Sequence, residues 1–349
     1  MQFLIPSSFH QQVRTLLSSL SATVLPEPQP RAASEDALKN IDPLKGLNWP
    51  VISEFTAPRF PIVLCHGLYG FDKLGPDSIP LLQIEYWQGI RDALAKLGAR
   101  VVFARVPSTG SIRERALALR RFLETSLPNQ EINLVGHSMG GLDARYLITH
   151  LPSDVYTIRS LTTISTPHRG SFFMDWCRDN LGLGRIGLND ETAVSSPPLT
   201  AAEPSSMAAT PVPSSPSFFP FTSNPLLMRL TRALDAPAYA NLTTDFCTRI
   251  FNPNTPDSPN IAYYSYGAVT SAPASPLLML PHRIVTEKDG PNDGLVSVRS
   301  ARWGRYLGTL QECDHWELNK RKRRKGERGK WDVGEFYVKM ATVLYLEGF

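Results

Sequence analysis

Cysteine is scarce in this chain. Four thiols, Cys65, Cys177, Cys247 and Cys313, are spread over 349 residues with no CxxC pair. That spacing argues against a disulfide framework or a zinc site and predicts free thiols in a reducing, intracellular compartment. Long apolar runs are missing as well. No uninterrupted stretch reaches the ~20 residues that a membrane-crossing helix needs, so the chain reads as soluble or peripheral to a lipid surface. Charge of one sign is also wanting: the net charge is only +4, and much of the excess sits in one run, KRKRRKGERGK at 320–330. A basic face for nucleic acid is therefore not expected. Acids are absent before Glu27, a weakly transit-like trait, yet Arg14 stands alone until Arg31. Residues 1–45 are read as a leader, with disorder favoured over mitochondrial targeting.

What remains is a globular composition, 42% hydrophobic and 19% charged, which fits one decorated catalytic domain over 46–349. Regular patterning starts at Phe60. "PIVLCHG" (61–67) predicts a buried strand that ends in a glycine turn, and Trp87, Ile90, Leu94 and Leu97 recur at helical spacing before Gly98. "RVVFARVP" (100–107) predicts the next strand. Ile112, Ala116, Leu119 and Leu123 mark a second helix, "EINLVG" (131–136) a third strand, "LDARYLITHL" a helix and "IRSLTTIST" (158–166) a fourth strand. Such alternation implies an α/β class with a mostly parallel sheet and helices on both faces.

The rhythm breaks from about 177 to 225, where Pro, Ser and Ala crowd the chain. The composition there reads first as a disordered insertion, although apolar residues at both ends also suit a mobile cap. The pattern resumes with "IAYYSYGAV", "PHRIVTEKDGPNDGLVSV", a strand "RYLGTLQECDH" and a last helix "VGEFYVKMATVLYL".

Between the third strand and the helix that follows lies "LVGHSMGGL" (134–142), in which Gly136, Ser138 and Gly140 satisfy G-x-S-x-G. Strand before and helix after make Ser138 a candidate nucleophile on a tight turn, with glycines where a Cβ would meet neighbouring backbone. A serine hydroxyl needs a base, and the base needs a carboxylate to fix its tautomer. His315, in "ECDHWEL" after the final strand, is the candidate base. For the acid, "TEKDGPNDGLVSV" offers Asp289 and Asp293, each in a turn-forming setting after a strand. Asp293, just before "LVSV", is preferred, and either is also acceptable as a plain turn former. The N–H of Met139 and that of Leu68, in "HGLYG", are the candidate oxyanion donors.

"HGLYGFDKLG", "YWQGIRDALAKLGARVVFARVPSTGSIRERA", "INLVGHSMGGLDARYLI", "LTTISTPHRGS" and "NDGLVSV" resemble successive blocks of the bacterial true lipases and their fungal triacylglycerol lipase relatives. The resemblance implies an α/β-hydrolase fold and a triad of Ser138, Asp293 and His315. It also implies oxyanion donors at Leu68 and Met139, and a lid in the insertion at 177–235. The implied activity is hydrolysis of long-chain acylglycerols, with phospholipase or soluble carboxylesterase as the alternative. A non-catalytic binding protein of this fold is disfavoured because all three triad members are present. Two features depart from the family. Glu317 matches one ligand of the bacterial structural calcium, but Tyr266 to Leu280 holds no carboxylate, so neither calcium nor any other metal or cofactor is expected. The family's cysteine pair also has no clear counterpart.

Several features admit more than one reading. The 320–330 run suits a solvated loop, a contact with anionic headgroups or a localisation signal. Asn241-Leu242-Thr243 fits a glycosylation pattern that matters only in a secreted chain. Cys313 reads as a small residue of the last strand rather than a redox handle, and Trp316 and Phe218–Phe221 suit either acyl-chain contact or core packing.

Overall fold

A computed structural model describes residues 44–70, 73–74, 84–87, 89–184, 235–319 and 332–349. The leader, most of the 177–235 insertion with Phe218–Phe221, and the 320–330 run lie outside the described residues. Six strands form one sheet: β1 (Ile62–Cys65), β2 (Val101–Phe103), β3 (Glu131–His137), β4 (Thr157–Ile164), β5 (Ala262–Val269) and β6 (Arg305–Gln311). Their spatial order is β2-β1-β3-β4-β5-β6, with every neighbouring pair parallel. Six longer helices accompany them: α1 (Ile90–Lys96), α2 (Ile112–Ser126), α3 (Met139–His150), α4 (Phe172–Leu181), α5 (Met279–Asp289) and α6 (Val333–Leu346). The expected α/β architecture is therefore present.

Alternation along each strand divides the core into two layers. Val63 and Cys65 of β1 pack in one cluster with Ile112 and Leu119 of α2 and Leu142 of α3. Ile62 and Leu64 turn to the other face and join Ile90 and Leu94 of α1 with Phe336 and Met340 of α6. Burial on both faces is the reason "IVLC" is a continuous apolar run rather than an alternating one.

Local signals place the helices. Ser111 and Glu114 make a reciprocal capping box at the start of α2: the Ser111 hydroxyl accepts from Glu114 N at 3.2 Å, and Glu114 accepts from Ser111 N at 2.8 Å. A further donor at that end, the Ile112 N–H, goes to Asn241 Oδ1 at 2.9 Å. Asn241 is thus a buried cap, and its glycosylation pattern is inaccessible in the fold. Gly98, just beyond α1, has φ +86°, the left-handed conformation that glycine supplies at a helix end.

One expectation fails. The residues before Asp289 and Asp293 are helical over Met279–Asp289, not a strand. Ile284 and Val285 look β-prone, but Leu280, Pro281, Ile284 and Val285 are buried together at helical spacing, and packing overrides propensity. All four cysteines are buried free thiols. Among the described residues, no helix is long and apolar enough to cross a membrane.

Candidate active site

β3 ends at His137 and α3 begins at Met139, so Ser138 alone makes the turn between them. Its backbone sits at φ 55° and ψ −131°, a region costly for any residue with a side chain. The surroundings hold it there. Ser138 N donates to Ile164 O at 3.0 Å, while Ser138 O accepts from Gly141 N at 3.1 Å and from Thr166 Oγ1 at 2.8 Å. The flanking glycines are obligatory because a Cβ on Gly136 would stand 2.5 Å from Gly141 N, and one on Gly140 2.4 Å from Cys65 O. Half-buried, the Ser138 side chain is presented at the carboxyl edge of the sheet.

The two remaining polar candidates meet at that same edge. His315 Nδ1 and Asp293 Oδ2 are 2.7 Å apart, and His315 N also donates to Asp293 O at 2.8 Å. The other carboxylate oxygen of Asp293 accepts from Leu295 N at 3.0 Å and Val296 N at 2.8 Å. A fully buried carboxylate thus faces the two main-chain N–H donors and the His315 ring nitrogen. Asp289, the rival acid, is occupied elsewhere, bonded to the Ser297 hydroxyl and paired with Arg299. The His315 ring packs 4.8 Å from that of His137, next to Ser138.

β1 delivers the loop that crosses the nucleophile. A Cβ on Gly67 would lie 2.7 Å from Ser138 Cβ and 3.2 Å from its Oγ, so only glycine permits this approach. The next residue is Leu68. Tyr69 follows at φ 56° and anchors the loop with its N–H on Ser108 O at 2.8 Å. Arg115 of α2 binds from beneath, donating to His66 O at 2.7 Å and Pro107 O at 2.6 Å while paired with Asp143. Burial pushes the Asp143 carboxyl up to about 6 against the opposing pull of Arg115.

Sequence reasoning overlooked Tyr86, Arg115 and Thr166. Each acts through partners far away in the chain, and no local motif marks that. Cys313 is buried, and burial, followed by the Glu317, Asp314 and Asp293 charges, drives its thiol well up. It fits a packing residue, not a reactive thiolate. Among the described residues, a calcium ion has no fitting ligand set. The Glu317 carboxylate accepts from Asp314 N at 3.1 Å, and the 266–280 segment is tied instead by Asp314 to Ala274 N at 3.0 Å and by Glu312 to Ser271 N at 3.1 Å. Among the described residues, no three His, Cys, Asp or Glu side chains converge to hold a metal.

Comparison with known proteins identifies the family. Triacylglycerol lipase 2 of Saccharomyces cerevisiae is 32% identical across 86% of this chain and 95% of its own length. The chain belongs to the triacylglycerol lipase family. A triacylglycerol lipase of Burkholderia plantarii is 36% identical over 39% of this chain and 37% of its own, and one of Vibrio cholerae 35% identical over 38% and 40%. These bacterial matches span less than half of either partner. A PGAP1-like alpha/beta domain matches residues 116–180, which carry the elbow. Among solved structures, Staphylococcus hyicus lipase superposes with a TM-score of 0.56 at 18% identity, covering 85% of this chain and 98% of its own. The metagenomic carboxyl esterase MGS0156 does so with 0.56 at 18%, covering 99% and 96%. These likenesses establish the α/β-hydrolase fold, and membership of the family makes this lipase a serine hydrolase of esters.

Proposed function

We propose that this lipase cleaves triacylglycerols through an acyl-enzyme on Ser138, and the Asp293–His315 hydrogen bond beside the serine elbow is the observation that carries the reading. Asp293 accepts the Nδ1 proton of His315, leaving Nε2 as the lone-pair side that takes the Ser138 proton. Oγ then attacks the ester carbonyl, and the N–H groups of Leu68 and Met139 receive the oxyanion. His315 returns the proton to the departing alcohol, and water repeats the sequence to release the fatty acid.

The triacylglycerol assignment rests on the full-length likeness to the yeast lipase. The insertion at 177–235 begins within the last turns of α4, and we assign the lid over the acyl site to it. Peripheral contact with a lipid surface follows from the proposed substrate, and an intracellular, reducing location agrees with the free thiols.

The test pairs fluorophosphonate labelling with hydrolysis of a triacylglycerol series from short to long chains, below and above droplet formation. Labelling at Ser138, loss of activity in Ser138→Ala and a rate jump on long chains at droplet formation are the expected results. Absence of label on folded protein would overturn the nucleophile assignment. Activity confined to dissolved short esters, or to phospholipid vesicles, would replace the substrate assignment with esterase or phospholipase.

A further inference from the structure

Tyr86 belongs to no triad and to no oxyanion pair, yet its hydroxyl sits at the junction of the whole site. Gly67 N donates to it at 3.1 Å, and His137 Nδ1 lies 2.7 Å away. The side chain of Asn319 also hydrogen-bonds to it. A phenol oxygen has two acceptor positions and one proton. The Gly67 amide donates to this oxygen, and His137 Nδ1, 2.7 Å away, is placed to accept its proton. That fixes His137 as the Nε2–H tautomer. Burial first, and then the charge of neighbouring His315, keeps His137 far below its ordinary protonation range, in agreement with a ring that accepts at Nδ1.

The three partners of this hydroxyl come from the three segments that must be in register for catalysis. Gly67 immediately precedes Leu68, His137 immediately precedes Ser138, and Asn319 follows His315 by four residues. The Met139 N–H is already fixed by the first turn of α3. Leu68 is different. It lies in a loop, and the orientation of its peptide depends on the peptide before it, whose N–H is the one bonded to Tyr86.

We propose that Tyr86 is a positioning residue for the oxyanion hole. Its hydroxyl holds the Leu68 N–H at a set distance from the Met139 N–H by tying the loop after β1 to the elbow and to the turn after His315. Buried among protein groups, the hydroxyl acts through the loop rather than on the ester itself. Its effect is confined to the state in which negative charge has developed on the carbonyl oxygen, where prealigned donors contribute most. The inference rests on Ser138 as nucleophile and on Leu68 and Met139 as oxyanion donors.

Tyr86→Phe in the full chain removes the hydroxyl and keeps the ring, which packs on Trp87 and His66. Rates are measured on a soluble short-chain p-nitrophenyl ester and divided by active sites counted with a fluorophosphonate taken to completion. Expected is a fall in kcat per site of roughly 10- to 100-fold with KM within about twofold, less than the ~10²–10³ for deleting a donor outright. Affinity for an arylboronic acid, which forms a tetrahedral adduct on the serine, is expected to fall by the same factor. A purely structural hydroxyl would lower the count of active sites and leave both per-site quantities unchanged, and that result overturns the proposal. So does a drop in kcat with unaltered boronate affinity.

Should Tyr86→Phe fail to fold, His137→Asn and His137→Leu take its place. Asn presents an acceptor toward the Tyr86 hydroxyl and is expected to keep the higher per-site rate. Equal rates in the two variants refute the proposal. Labelling of Ser138 in the parent chain tests the underlying reading separately, so failure of one is distinguishable from failure of the other.

Discussion

Replacing Asp293 with asparagine changes one atom and tests the acid assignment. The side chain is fully buried, with Oδ1 accepting from Leu295 N and Val296 N and Oδ2 accepting from His315. An amide in this place has only one oxygen. Two main-chain donors converge on the Oδ1 position and one ring nitrogen on the other, so the oxygen remains with the main chain and the NH₂ faces His315. An NH₂ donates, and His315 Nδ1 must then offer its lone pair and carry the proton on Nε2. That tautomer is unable to take a proton from Ser138. The expected loss in kcat is about 10⁴-fold, or about 5 kcal/mol of barrier at ~1.4 kcal/mol per decade. Folding is expected to survive, since the main-chain bonds are preserved. Asp289→Asn is the control: its largely buried carboxylate serves Ser297 and Arg299 and no triad residue, so the melt is expected to fall while kcat stays within about threefold of the parent, ~0.6 kcal/mol of barrier. The assay is kcat on a soluble p-nitrophenyl ester, normalised to fluorophosphonate-reactive sites, with thermal melts for both variants. If Asp293→Asn kept more than a tenth of the parent kcat, or Asp289→Asn proved the more damaged, the tautomer argument would be wrong.

Gly67→Ala places a Cβ 2.7 Å from Ser138 Cβ, and the loop must retreat with its Leu68 N–H. A loss of about 10²-fold or more in kcat is expected, with destabilisation of about 1–3 kcal/mol from the forced contact; full activity in a melt-stable variant would refute the close approach. Acid should also destabilise the fold. His137 and His168 are both buried, and burial is the largest cause of their lowered pKa values. Below their ordinary value of 6.5 the unfolded chain binds protons that the folded chain refuses, so their contribution is complete above pH 6.5 and lost as pH falls toward the folded values. At pH 5.5 that costs about 1.4 kcal/mol each, about 3 kcal/mol together. Asp143 works the other way, because its raised value near 6 returns about 1 kcal/mol over the same interval. Urea unfolding at pH 7.0 and 5.5 should show a net loss of about 2 kcal/mol, falling to roughly a quarter of that in His168→Asn, where one histidine is left against the Asp143 offset. A flat parent profile would contradict the neutral buried imidazoles.

The triad candidates were legible because each stands in a local pattern with a mechanical reason: Ser138 between glycines after a strand, Asp293 in an Asn-Asp-Gly turn, His315 after the last strand. What sets their quality was not legible. Arg115 reaches the His66 carbonyl 49 residues away, Asn241 caps a helix 129 residues before it, and Tyr86 meets His137 across 51 residues. None of these partners is implied by spacing, for a buried polar group shows its identity in the sequence but not the group that satisfies it. The strand wrongly expected before Asp289 has the same origin. Ile284 and Val285 carry a β-prone signal locally, whereas their helical conformation follows from what Leu280 and Pro281 bury beside them. In this lipase, the candidate reacting atoms lie on short motifs, and their placement depends on long-range hydrogen bonds. Tyr86 is where the difference is sharpest: a tyrosine with no motif of its own, bonded at one oxygen to the three segments that the motifs define.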